Sequence, residues 1–239
     1  MGPGFCRITL AAPAIASLVE PGQFVQIFMP QEHPHMLPRP FSVHKADPEN
    51  GIITILVEIK GQGSRLLASR EPGSFLKLLG PLGNGFPPPP PGSILVAGGM
   101  GVAPLAFLAE SVKYSRTLLY CARTADLLIC PEADFNIPGL QIMRATDDGT
   151  AGFRGTAADL LSGCIAEAPA VFACGPRPML VAVKEICLKR RVRAWLSLEE
   201  RMACGVGACV GCVVPTIKGY KRVCRDGPVF PAEEVILDG

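Results

Sequence analysis

Five consecutive prolines, Pro87 to Pro91, followed by Gly92, divide this chain more firmly than any other feature. Proline lacks a backbone N–H and has a fixed φ, so neither a helix interior nor a central strand runs through such a stretch. A stiff, extended connection does. The sequence therefore builds one unit before the prolines and another after them. At 239 residues there is room for two domains and a small appendage.

The two sides differ in period. Before the prolines, Gln23 to Phe28, Phe41 to His44 and Ile52 to Ile59 are short, β-branched and punctuated by Pro and Gly. That pattern predicts antiparallel strands closed as a small β-barrel over residues 1–90. After them, bare apolar runs at Ser93–Ala97, Thr117–Ala122, Leu140–Ala145, Ala170–Cys174 and Ala194–Leu198 alternate with helix-like stretches, the first from Ala103 to Tyr114. This predicts an α/β parallel-sheet domain over 91–196. Residues 197–239 carry too little apolar periodicity for a core of their own, so a bound cofactor is expected to organise them. The fold class is thus α+β and multidomain.

Composition excludes several classes. Apolar residues are 49% and charged residues 18%, which disfavours disorder. A net charge of +2 with interspersed signs offers no basic stripe for nucleic acid. No run reaches the roughly 18 apolar residues of a membrane span, and Met1-Gly2-Pro3-Gly4 lacks the features of a secretion signal. The expectation is a cytoplasmic protein without membrane insertion.

Four of the ten cysteines lie in one terminal segment: Cys204, Cys209, Cys212 and Cys224, spaced C-x4-C-x2-C-x11-C. This is the plant-type 2Fe-2S pattern, a tight loop giving three thiolates and a later turn the fourth. Gly205, Gly207 and Gly211 suit a loop that wraps an inorganic core and aims amides at sulfur. The alternative is structural zinc, which usually pairs two short C-x2-C knuckles, whereas only Cys209 and Cys212 form one here. Cys6, Cys121, Cys130, Cys164, Cys174 and Cys187 are scattered among apolar neighbours and are expected to act mostly as small core residues.

Two glycine clusters stand at predicted strand ends, where open α/β sheets bind ligands. Gly98-Gly99-Met100-Gly101-Val102-Ala103-Pro104 opens a helix, whose N-terminus offers unpaired amides to phosphate. Cys174-Gly175-Pro176-Arg177-Pro178-Met179 follows a later strand. Either alone is compatible with a simple turn. Together they resemble the pyridine-nucleotide domain of the ferredoxin reductase superfamily. That resemblance implies NAD(H) with pyrophosphate at Gly98, Gly99, Gly101 and Val102, and nicotinamide near Cys174, Gly175 and Pro176.

In the first unit, Arg39-Pro40-Phe41-Ser42 is similar to the superfamily's R-x-Y/F-S flavin motif. Arginine can pair with a diphosphate, phenylalanine flanks a ring and serine can hydrogen-bond its edge. Leu56-Val57-Glu58 and then Gly61-Gln62-Gly63-Ser64 follow at the distance where the superfamily completes its FAD site, with Gly63 and Ser64 as the diphosphate turn. Ser42 and Cys174 are the candidate catalytic residues.

The segment S-L-E-E-R-M-A-C-G-V-G-A-C-V-G-C, with Gly80 to Phe86 and Thr146-Asp147-Asp148-Gly149, narrows the resemblance to the electron-transfer subunits of dihydroorotate dehydrogenase B. The amino end reads as short of that family's first barrel strand, and the five-proline run is unusual. The resemblance implies electron flow between NAD(H), FAD, a 2Fe-2S cluster and the FMN of a partner dihydroorotate dehydrogenase subunit in pyrimidine (UMP) biosynthesis, in a heterotetramer of two of each. No segment here resembles an orotate site. A subunit of a ferredoxin-NADP reductase or sulfide dehydrogenase complex shares this layout. A zinc-stabilised, non-catalytic scaffold is the alternative of another class. Arg123 is in reach of a 2'-phosphate in principle; preference for NADH rests on the resemblance.

Overall fold

The computed structural model describes residues 4–28, 37–130 and 132–237. Met1 to Pro3, weighed above for a secretion signal, lie outside them. Among the described residues, five strands form the first unit: β1 (Phe5–Ala11), β2 (Phe24–Ile27), β3 (Arg39–Asp47), β4 (Ile52–Glu58) and β5 (Leu78–Leu82). They pair antiparallel in the order β1-β4-β3-β2-β5. Alternate residues Ile53, Ile55 and Val57 of β4 join Val25, Ile27 and Val43 in a fully buried core, the period-2 outcome of the β-branched pattern. Two short helices, α1 (Pro13–Ala16) and α2 (Gln62–Ala68), flank it. The first described strand, Phe5–Ala11, pairs along its whole length with β4. Ile8 and Leu10 pack on the barrel core while Arg7 and Thr9 alternate with them, a pattern an edge strand can carry in few residues.

Beyond the prolines, β6 (Ile94–Gly98), β7 (Arg116–Ala122), β8 (Leu140–Thr146), β9 (Phe153–Arg154), β10 (Ala170–Cys174) and β11 (Arg193–Ser197) run parallel. Helices α3 (Val102–Glu110), α4 (Ala157–Cys164) and α5 (Arg177–Arg190) cover the sheet. The central strands β6 and β10 are buried at every position, which is why they read as bare apolar runs. Helix α3 stops four residues before Tyr114. The Arg116 guanidinium, buried, donates to the carbonyls of Ala109 and Tyr114 and caps the helix end. The proline run is docked on this unit: the hydroxyls of Tyr114 and Ser93 donate to the carbonyls of Pro89 and Pro90. Phe86, just before it, meets Phe172 edge-on at 5.9 Å.

The terminal segment holds a hairpin, β12 (Val213–Thr216) and β13 (Gly219–Arg222), then α6 (Val223–Asp226) and β14 (Val229–Pro231). Strand β14 pairs antiparallel with β11, completing a sheet in the order β14-β11-β10-β6-β7-β8-β9. Cys212, Val223, Cys224 and Phe230 share one core with Val96, Leu119 and Val171. The segment is thus tied to the parallel sheet by backbone and by side chains.

Candidate cofactor-binding site

The cysteine loop is built for sulfur. Gly207 N–H donates to Cys224 Sγ at 3.1 Å, Cys209 N–H to Cys204 Sγ at 3.4 Å and Cys224 N–H to Cys212 Sγ at 3.4 Å. Gly207 has φ +81, and a Cβ there would lie 2.8 Å from Arg225 Cδ, so the loop requires glycine at that point. The Arg222 guanidinium donates to Gly207 O and is itself paired with Asp226, fixing the loop against α6.

Electrostatics separates the thiols. The amide of Cys209, with those of Val206 and Ala208, pulls Cys204 down to about 6. Burial, and then the neighbouring Cys212, push Cys224 up to about 12. Four thiolates can share this space only with a compensating cationic centre. The contacts link Cys204 with Cys209 and Cys212 with Cys224, two pairs as two irons need. One zinc at 2.3 Å from each sulfur would place four thiols about 3.8 Å apart. Among the described residues, the one set of three potential ligand atoms within 4.8 Å of one another is His44, Cys130 and Asp134, not the cysteine loop. In that set Asp134 is already ion-paired with Arg7, and His44 Nδ1 lies 3.3 Å from the Ala103 carbonyl. This spends the charge a cation would need.

The two glycine turns meet through their backbones, because β6 and β10 are neighbours with Ala97 opposite Cys174. A Cβ on Gly101 would lie 2.0 Å from Cys174 O, and one on Gly98 would lie 2.8 Å from Pro176 Cδ. Gly99 is different: its φ is +52 and a Cβ there would meet nothing within 4 Å. It leaves an open cradle beside the 3₁₀ turn Gly99–Gly101 that leads into α3, where amides are free to face an anion. Val102 puts its side chain in the core and so has only its backbone to offer. Cys174 is buried, and burial raises its thiol pKa, with Glu199 adding and a Ser197 hydrogen bond opposing. It is a neutral thiol at the end of β10. Gly175 and Pro176 line a cleft of about 200 Å³ with Leu180, Leu198 and Glu199.

On the flavin side, Arg39, Pro40, Phe41 and Ser42 are half-buried at the start of β3. Opposite residues share a face, so Ser42 and Pro40 lie with Phe24 and Gln26, while Phe41 and Arg39 lie with Val25 and Ile27. Arg39 donates to Leu37 O at 2.6 Å. Leu56 and Val57 commit their side chains to two cores, leaving backbone only, whereas Glu58 stays part-exposed and pairs with Lys60 at 2.8 Å. Gly63 is buried in the first turn of α2. The Ser64 hydroxyl accepts from the amides of Lys60 and Gly61 at 3.0 and 3.1 Å. It therefore caps its own turn and leaves an amide, not a hydroxyl, for a diphosphate. A Cβ on Gly61 would meet nothing within 4 Å, so the turn is open to a ligand.

Three residues to which motif reading assigned no role complete the picture. Glu199, in the cleft, has its carboxyl held above the ordinary range by its protein surroundings, with Lys60 opposing and Glu58 adding. It brings the end of β4 and the end of β10 into one electrostatic field. Asn84 donates to the carbonyls of Arg225 and Asp226 at 3.2 and 3.1 Å, so the Gly80–Phe86 stretch docks the barrel onto the cysteine segment. Gln26 is fully buried, and among the described residues neither of its amide atoms finds a hydrogen-bond partner, an arrangement costing about 1–3 kcal/mol per stranded group. Its amide abuts Gly205, next to Cys204.

Comparison with known proteins agrees with this geometry. Residues 199–236 match the iron-sulfur cluster binding domain of dihydroorotate dehydrogenase B. The chain is 42% identical to the dihydroorotate dehydrogenase B (NAD(+)) electron transfer subunit of Bacillus caldolyticus, covering 97% of this chain and 92% of that one. It is 36% identical to the subunit of the same name from Desulforamulus reducens, over 100% and 95% of the two chains. A solved NADH-dependent reduced ferredoxin-NADP oxidoreductase superposes with TM-score 0.85 at 29% identity, over 99% of this chain and 87% of that one. By sequence over its whole length and by its cysteine segment, this chain belongs to the family of dihydroorotate dehydrogenase B electron transfer subunits.

Proposed function

We propose that this chain passes electrons between NAD(H) and the FMN of a partner catalytic subunit that oxidises dihydroorotate in pyrimidine (UMP) synthesis. The pair acts in the cytoplasm as a heterotetramer of two of each. Among the described residues no helix is long and apolar enough to cross a membrane. The observation that carries the reading is the packing of a two-pair cysteine loop directly against the strand pair that bears the flavin motif, with both glycine turns opening onto the same side.

Each group has its residues. Cys204, Cys209, Cys212 and Cys224 hold the 2Fe-2S cluster, in a loop that supplies amide donors to sulfur. FAD is held by Arg39 to Ser42, by the backbone of Leu56 and Val57, by Glu58, and at its diphosphate by the Gly63-Ser64 turn. The Gly98–Val102 turn receives the NAD(H) pyrophosphate, and Gly175 and Pro176 leave the floor beside Cys174 flat for the nicotinamide. Cys174 ends β10 beside the nicotinamide turn, and Ser42 stands on β3 in the flavin motif; these are the two residues assigned to the reacting rings. Bound there, FAD supplies two-electron exchange with nicotinamide and single-electron transfer onward, which the cluster extends toward the partner.

The structural likeness to a ferredoxin-NADP oxidoreductase supports a second reading, in which the partner is a different enzyme with the same layout. Colour and reduction test the shared part: the purified chain should absorb visible light as a flavoprotein with 2Fe-2S, and NADH should bleach it without oxygen. A colourless protein indifferent to NADH contradicts both readings and favours a zinc-held scaffold.

A further inference from the structure

We propose that Gln26 tunes the cluster: its carboxamide N–H donates to a cluster sulfur on the Cys204–Cys209 side, from the strand that also borders the flavin motif. The inference rests on the cluster assignment above and extends it to a residue of the first sheet.

Three observations carry it. Gln26 is fully buried and both its amide nitrogen and its carbonyl oxygen lack a hydrogen-bond partner among the described residues. A leucine or methionine would fill the same space without stranding an amide, so the position makes physical sense when a ligand completes it. Secondly, the amide points at the cysteine loop: a Cβ on Gly205 would lie 2.7 Å from Gln26 Cγ and 2.8 Å from Nε2. The carboxamide occupies the room a side chain would need next to Cys204, and Gly205 has φ +70 besides. Thirdly, the register of β2 turns Val25 and Ile27 into the barrel core and Phe24 into the core shared with Cys212 and Cys224. Gln26, two residues from Phe24, looks the same way and stands opposite Pro40, two residues from Ser42.

The chemistry is complementary. Cluster sulfides and thiolates are negative and only accept hydrogen bonds, while a primary amide donates without adding charge. Donors to sulfur stabilise the reduced, more negative cluster and raise its potential. Gln26 thereby sets the driving force of the step between the two cofactor positions rather than the chemistry at either end.

The test uses the chain loaded with flavin and cluster, carrying nitrogen-15 only in glutamine side chains, reduced and examined by pulsed EPR. One side-chain nitrogen should couple to the reduced cluster, and the coupling should vanish in Gln26→Leu. The same variant should be about tenfold harder to reduce, a midpoint lower by about 59 mV for one electron. Gln26→Glu, of the same shape but unable to donate when ionised, should also lower the potential. A full-strength cluster signal with no side-chain nitrogen coupling in the unmutated chain overturns the proposal. So does an unchanged potential in Gln26→Leu that keeps its iron and sulfide. Absence of any cluster signal in the unmutated chain would instead overturn the cluster assignment itself, so the two failures are distinct. The wild-type coupling decides the matter even where a variant loses its cluster.

Discussion

Cys209 is exposed while Cys212 and Cys224 are buried, so one corner of the cluster site lies at the surface and the rest is enclosed by the sheet core. Replacing Cys209 with Ser leaves that core intact, and iron and labile sulfide should both be lost from the folded protein. Full retention of either, by chemical assay, removes the residue from the ligand set. Gly175 has Met179 Cε 2.6 Å and Gly98 Cα 2.9 Å from where a Cβ would stand. Gly175→Trp should therefore abolish NADH-driven bleaching while the flavin stays bound, as read by absorbance with and without NADH. At this scale the spacing of the cysteines was fully legible, because ligand geometry fixes separations along the chain. The roles of Gln26, Asn84 and Glu199 were not. Each acts on a segment more than a hundred residues away in sequence or in the opposite sheet, and no local pattern marks such a contact. Ser64 was legible as part of a turn, but its hydroxyl caps that turn rather than reaching outward.

Strands were more legible than helix ends. The bare runs became β6, β7, β8, β10 and β11 within a residue or so; full burial of β6 and β10 on both faces leaves one pattern only. Helix α3 ended early because Arg116, from the next strand, takes the carbonyl of Ala109. Strand β1 carries a weaker signal than the central strands because it is an edge strand with a mixed burial pattern. The element with the clearest ligand consequence is α2. A turn open at Gly61 and lined by first-turn amides suits a phosphate group, and the assignment made above gives it the diphosphate of FAD. Acid release and chromatography should recover FAD; recovery of FMN alone counts against the assignment. Packing offers a second check. Phe172 is fully buried, stacked on Trp195 at 5.1 Å and edge-on to Phe86. Phe172→Ala should cost about 3–5 kcal/mol in denaturant unfolding, and a loss below ~1 kcal/mol would show that the aromatic stack does not hold the proline run to the sheet.

Across the whole molecule, three regions distinguished by sequence share cores and strand pairing, so the positions of the cofactor sites are fixed relative to one another. Among the apolar side chains the fold leaves exposed, Val206, Val210 and Val213 sit on and beside the cluster loop, with Tyr220 77% exposed on the following hairpin. Val210 adopts φ +47, an uncommon conformation for a β-branched residue, and presents its side chain outward. Such a patch suits a docking face for the subunit that exchanges electrons with the cluster. Val210→Glu should weaken that association and slow coupled turnover, while NADH oxidation by artificial dyes at the flavin stays normal; an intact complex with normal turnover and a bound cluster removes this contact. The most direct test of the account is coupled catalysis. The chain mixed with the partner catalytic subunit should make dihydroorotate oxidation reduce NAD at a rate that depends on this chain. Dihydroorotate oxidation that never reaches NAD, with flavin and cluster both loaded and the complex formed, would contradict it.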